Sequence, residues 1–123
     1  MRLNNPPLEG SWEMVRAEFA GEAAPELVVK KSSLEFSGDN YAVWFDGQVM
    51  DQGRFALGER DGHLALTLTG ITGTNAGRTI PAIYQQTGER LRICFGFDGV
   101  APTQFATGVG SQLYLATYRR VVR

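Results

Sequence analysis

The sequence predicts an all-β fold: about eight antiparallel strands in a meander that closes into a barrel, with one short helix near residues 25–31. Three observations predict it. Glycine-containing turn dipeptides recur at Gly38-Asp39, Asp46-Gly47, Asp61-Gly62, Thr87-Gly88 and Asp98-Gly99. The segments between most of them alternate apolar and polar residues, the period of a strand with one buried face. Only one segment, Pro25–Lys31, reads as a helix. Gly, Asp and Asn tolerate the left-handed backbone of tight hairpin turns, and strands tied by short hairpins must run antiparallel.

The elements follow in order. Gly10–Phe19 is the first strand, with Trp12, Met14 and Arg16 on one face and Val15, Ala17 and Phe19 on the other. Pro25 suits a first helical turn and Lys30 and Lys31 a last one, but two turns need a surface to dock on. Strands are then expected at Ser33–Ser37, Asn40–Phe45 and Gln48–Leu57, the last with Gly53 inside it as a bulge or corner. His63–Thr69 sets Leu64, Leu66 and Leu68 against polar or small residues. Gly70–Gly77 reads as a loop at the barrel mouth. Arg78–Gln86 and Glu89–Phe95 form a hairpin, with Pro81 at an edge or bulge. A Gly-rich connection leads to a final strand, Ser111–Val122, which places Leu113 and Leu115 opposite Tyr114 and Tyr118.

Composition narrows the function classes. The chain has 123 residues, enough for one domain with a single core: a lead at 1–7 and a barrel over 8–123. Twelve basic and thirteen acidic residues leave a formal charge of −1, which argues against a nucleic-acid partner that needs a basic face. Arg119, Arg120 and Arg123 read as a solvated strand end. Cys94 is the single cysteine and His63 the single histidine, so neither a disulfide nor a common zinc motif is available, and no cofactor is expected. No segment has the length of a membrane span, and the first residues lack an apolar leader. The sequence as written is expected to stay in the cytoplasm, or to be secreted or periplasmic if a leader has been removed.

Leu8-Glu9-Gly10-Ser11-Trp12 has the L-x-G-x-W form, and Leu34-Glu35-Phe36-Ser37-Gly38-Asp39-Asn40-Tyr41 the L-x-F-x-G-D-x-Y form. Asn75-Ala76-Gly77-Arg78-Thr79, Ile83-Tyr84, Leu91-Arg92-Ile93-Cys94-Phe95 and Pro102-Thr103-Gln104-Phe105 follow in order. Together, over Leu8 to about Arg120, they resemble a family of small bacterial lipocalin-like domains of unknown function, abundant in planctomycetes. The resemblance implies a calycin-type barrel and supplies no catalytic residues. Arg16 stands where such domains usually carry a small or uncharged residue.

An eight-stranded barrel is either filled by its own side chains or holds one small ligand. The expected inward faces carry Trp12, Met14, Tyr41, Phe45, Phe55, Leu64, Leu66, Tyr84, Leu91, Ile93 and Phe95. The ligand would be small and mostly apolar or amphipathic, lined by Trp12, Met14, Tyr41, Phe55, Tyr84 and Ile93. Strict alternation turns Arg16 inward as well, where a guanidinium would hold an anionic group. The other reading is an Arg near the barrel mouth that reaches solvent or pairs with an internal Glu or Asp. Glu18 continues that parity, and with Arg16 and a tyrosine it supports a rival reading, a small cofactor-free cyclase or isomerase. A filled barrel acting as a protein-interaction module through Trp44, Tyr114 or Tyr118 is the second rival, and a homodimer stays open. Cys94 reads as a small hydrophobe or a cation-activated thiol, and His63 as a solvated strand end.

Overall fold

Side-chain alternation on consecutive hairpins curls this chain until its first and last long strands meet. The computed structural model describes residues 8–121. The elements are β1 (Gly10–Phe19), β2 (Glu22–Ala23), α1 (Glu26–Lys30), β3 (Ser32–Ser37), β4 (Asn40–Phe45), β5 (Gln48–Arg60), β6 (His63–Gly73), β7 (Thr79–Thr87), β8 (Arg90–Gly96) and β9 (Leu113–Arg120). Neighbouring strands pair antiparallel in the order β2-β1-β3-β4-β5-β6-β7-β8-β9, and β1 also pairs with β9, from Trp12 opposite Arg120 to Phe19 opposite Tyr114. The result is a closed eight-stranded antiparallel barrel, with β2 a two-residue appendage on β1. The predicted lead at 1–7 lies outside the described residues, as do Val122 and Arg123.

The Asp-Gly pairs make the turns they signal. Asp46 and Gly47 have φ of 54° and 81°, and Asp61 and Gly62 have 50° and 83°. Two consecutive positive φ values are what a two-residue hairpin needs to match the twist of its strands. On either side of the second turn β5 and β6 run longer than expected, so that Gly70–Gly73 belongs to a strand rather than a loop. Gly53 sits at a register shift in this pair, as its position suggested. A Cβ there would stand 2.0 Å from the Thr69 carbonyl oxygen, so only glycine lets the two backbones approach this closely.

One expectation fails at β1. A bulge between Met14 and Arg16 sets Met14 opposite Tyr118 but Arg16 opposite Thr117. The extra residue reverses the inside–outside parity beyond it. Trp12 keeps its inward place, Ala17 is the next buried residue, and Arg16 is exposed on the outside. β9 also corrects the reading: Ala116 and Tyr118 are buried in the core and Tyr114 packs against it, so neither tyrosine offers an outward surface. Leu64 is 44% exposed, because the β5–β6 hairpin overhangs the barrel there.

The barrel closes at the end where β1 begins. Trp12, fully buried, donates its indole N–H to the Leu8 carbonyl (3.0 Å). The Arg120 guanidinium lies 4.3 Å from the centre of the Trp12 ring and bonds to the Glu9 carbonyl (2.8 Å) and Glu89 (3.1 Å). A cation over an indole face adds attraction to the packing beneath it. Arg120, read as part of a solvated strand end, is therefore half a plug, while Arg119 is exposed and pairs with Glu13 and Arg123 lies outside the described residues.

A second, smaller core lies outside the barrel. Ala65, Ile83 and Cys94 point away from the lumen yet are 5%, 0% and 0% exposed. The segment between β8 and β9 reaches this face at Cys94, whose Sγ lies 3.8 Å from the Ala106 carbonyl oxygen. Phe105 takes the Arg92 guanidinium at 4.1 Å and the His63 ring edge at 5.5 Å, and Thr107 donates to the Glu18 carboxylate. His63 is thus half-buried against an aromatic ring rather than solvated.

Candidate functional site: a cavity at the open end of the barrel

At the end opposite Trp12 the inward side chains do not fill the lumen. A cavity of about 350 Å³ remains, open on one side. Met14, Leu34, Val43, Phe45, Leu68 and Ile80 supply apolar walls, and Phe95, Phe97, Tyr114 and Tyr118 aromatic ones. The position follows from the register. Leu34 pairs with Val43 and Phe36 with Tyr41, so at these two pairs the aliphatic chains border the cavity and the rings fill the core beside it. Phe36 and Phe55 meet edge to face there, with ring centres 4.8 Å apart.

One wall is a connected ring cluster. Phe97 and Tyr114 stack at 5.6 Å, Phe95 and Phe97 at 5.9 Å, and Phe19 leans on Phe97 and Tyr114 at 6.3 and 6.4 Å. These offset arrangements favour ring quadrupoles as well as burying area. The opposite wall carries a charge. Asp51, on β5, is 4% exposed and is the only charged residue among the buried ones described. Its Oδ1 accepts the Asn75 backbone N–H (3.0 Å), and its Oδ2 accepts the Tyr41 hydroxyl (3.1 Å) and the Asn75 side-chain N–H (3.0 Å). Asp51 thereby pins the turn after β6 to the barrel. Arg78 braces this turn from outside, donating to Asn75 Oδ1 (3.0 Å) and to the Phe97 carbonyl.

The phenols near the cavity are held protonated. Burial raises the Tyr41 pKa well above its ordinary value, and the Asp51 charge and hydrogen bond raise it further. Tyr118 is raised by burial and then by Tyr114, and Tyr84 and Tyr114 by burial. Burial also pushes the Cys94 thiol up, partly offset by its contact with the Ala106 carbonyl (3.8 Å), so it is no activated thiolate.

Of the residues expected to line a ligand, Met14 borders the cavity. Trp12, Tyr41, Tyr84 and Ile93 are buried in the core and Phe55 packs against it, and none of these five borders the cavity. Tyr41 acts on it only through Asp51. Arg16 is outside and cannot serve as a handle in the lumen. Neither Arg16 nor Glu18 borders the cavity, so the constellation suggested for a cyclase or isomerase is not assembled. No α1 residue borders it either; the helix packs on β1 with Val29 buried. Asp51 was missed although a signal existed: it shares the inward parity of Gly53 and Phe55.

Among the described residues, no group of three or more His, Cys, Asp or Glu is placed to hold a metal ion. No helix among them is long and apolar enough to cross a membrane. The closed antiparallel barrel is consistent with a calycin-like fold. Comparison with protein-family models, with curated proteins and with solved structures gives no match.

Proposed function

We propose that this protein is a lipocalin-like binding protein that takes one small, mostly apolar molecule into the open half of its barrel. The observation that carries the reading is the asymmetry of the lumen: plugged by Trp12 and Arg120 at one end, and left with about 350 Å³ of apolar and aromatic space at the other. Binding sites for small molecules are concave, mainly apolar and equipped with a few fixed polar groups, and this cavity has that character. The residues behind the resemblance to small bacterial lipocalin-like domains also have structural work here. Leu8 and Trp12 form the plug, Asn75 ties the turn at the mouth, and Phe105 covers the outer core.

The test is uptake of an environment-sensitive apolar dye, with native mass spectrometry of the freshly purified chain. The expected result is saturable one-to-one uptake, abolished by Met14→Trp, which fills the cavity, and kept by Arg16→Ala, which lies outside it. Uptake unaffected by Met14→Trp would refute the reading.

A further inference from the structure

The cavity lining holds one carboxylate, Asp51, and its electrostatic setting is unusual. Buried charges are ordinarily paired with an opposite charge. Asp51 is 4% exposed, yet its three hydrogen-bond donors, Tyr41 and the two N–H groups of Asn75, are all neutral, and among the described residues it has no ion pair. Neutral donors solvate a carboxylate without cancelling its charge. A carboxylate offers about four lone-pair sites, of which three are taken. The nearby cations are engaged elsewhere. Arg78 is exposed and bonded to Asn75 and the Phe97 carbonyl, while Lys31 pairs with Asp46 at 3.7 Å. No lysine, arginine or histidine borders the cavity among the described residues.

The facing wall has matching chemistry. In the closed ring of strands β5 lies across from β9, and Asp51 borders the same cavity as Tyr114, Phe97 stacked on it, and Phe95 tilted against it. Aromatic faces attract cations and do nothing for anions. We infer that the ligand class is a cationic amphiphile: an apolar body seated against the aliphatic walls, and a protonated amine placed between the Asp51 carboxylate and the ring cluster. This rests on the binding reading above and reverses the anionic preference that an inward Arg16 would have given.

Three probes with one eight-carbon chain decide it: octylammonium, 1-octanol and octanoate, titrated calorimetrically into the full chain at neutral pH. Octylammonium is expected to bind at least about tenfold tighter than octanol, and octanoate at least about tenfold weaker. Asp51→Asn should bring octylammonium to within roughly threefold of octanol when both are titrated into the same variant. Met50→Lys, at a cavity residue exposed enough not to disturb the fold, should do the same by adding a cation beside Asp51. Octanoate binding as tightly as octanol, or an ammonium preference that survives both substitutions, would overturn the inference and leave the binding reading standing. Failure of all three probes would remove both.

Discussion

Replacing Asp51 by alanine should cost the protein roughly a third of a typical domain's stability. The carboxylate accepts from Tyr41 and twice from Asn75. Hydrogen bonds to a charged acceptor contribute about 1.5–3 kcal/mol each, but the three share one group and do not add. Asn75 is only half-buried, so its freed donors can recover water at the mouth. Tyr41 is 2% exposed, so its hydroxyl cannot, and an unmet buried donor costs about 1–3 kcal/mol. Removing the desolvated charge returns part of the loss. The expected net is about 3 kcal/mol, or roughly 10 °C in Tm for a domain of this size. Tyr41→Phe removes one of the three bonds and should cost about 1 kcal/mol. In the double variant the second change should cost nearly nothing, a coupling of about 1 kcal/mol. Denaturant unfolding measures all three, and amide exchange at Asn75 should accelerate in Asp51→Ala. A loss under about 1 kcal/mol would mean that Asp51 does not anchor the turn, and simple additivity that it is not coupled to Tyr41.

Three further outcomes follow from the same geometry. All four tyrosines, Tyr41, Tyr84, Tyr114 and Tyr118, have pKa values raised above 10.0 by burial, so above that pH the unfolded chain loses protons that the folded chain keeps. Stability should therefore be insensitive to these groups below about pH 10 and fall above it, by up to about 5 kcal/mol per pH unit if all four contribute. Phenolate absorbance should appear only with loss of the near-ultraviolet dichroism; phenolate at pH 10 with the fold intact would contradict this. Cys94, buried and raised in pKa, should react with aromatic disulfide reagents only as fast as the chain opens, and rapid labelling of the native protein would exclude the covering role of the 97–112 segment. Gly53→Ala should lower stability by more than about 2 kcal/mol in thermal melts, since its Cβ has no room beside Thr69; a neutral effect would put the bulge in doubt.

What sequence could reveal here was set by how local the cause is. Turn chemistry at Asp46-Gly47 and Asp61-Gly62 and the alternation of β3, β4, β6 and β8 are local, so strand order and barrel class were legible. The bulge at Met14–Arg16 is not. It arises where β1 bends from pairing with β3 toward pairing with β9, and nothing in Met14-Val15-Arg16 announces the extra residue. One missed parity change moved Arg16 from the lumen to the surface and with it the expected charge of the ligand. The same non-locality hid the outer core, because only the fold shows that the segment around Phe105 returns to His63 and Cys94. Which aromatic residues fill the lumen and which border open space depends on strand stagger, so Trp12 and Tyr84 were placed inside but do not border the cavity.

The most direct test maps where a small apolar molecule sits. Methyl and amide spectra of the labelled chain, recorded with and without 1-octanol, would report it residue by residue. Shifts should centre on Met14, Val43, Leu68 and Ile80, with Trp12, Leu91 and Ile93 nearly unchanged. Shifts centred on the plugged half or on the outer face around Phe105, or no shifts at saturating octanol, would contradict a ligand site in the open half of the barrel.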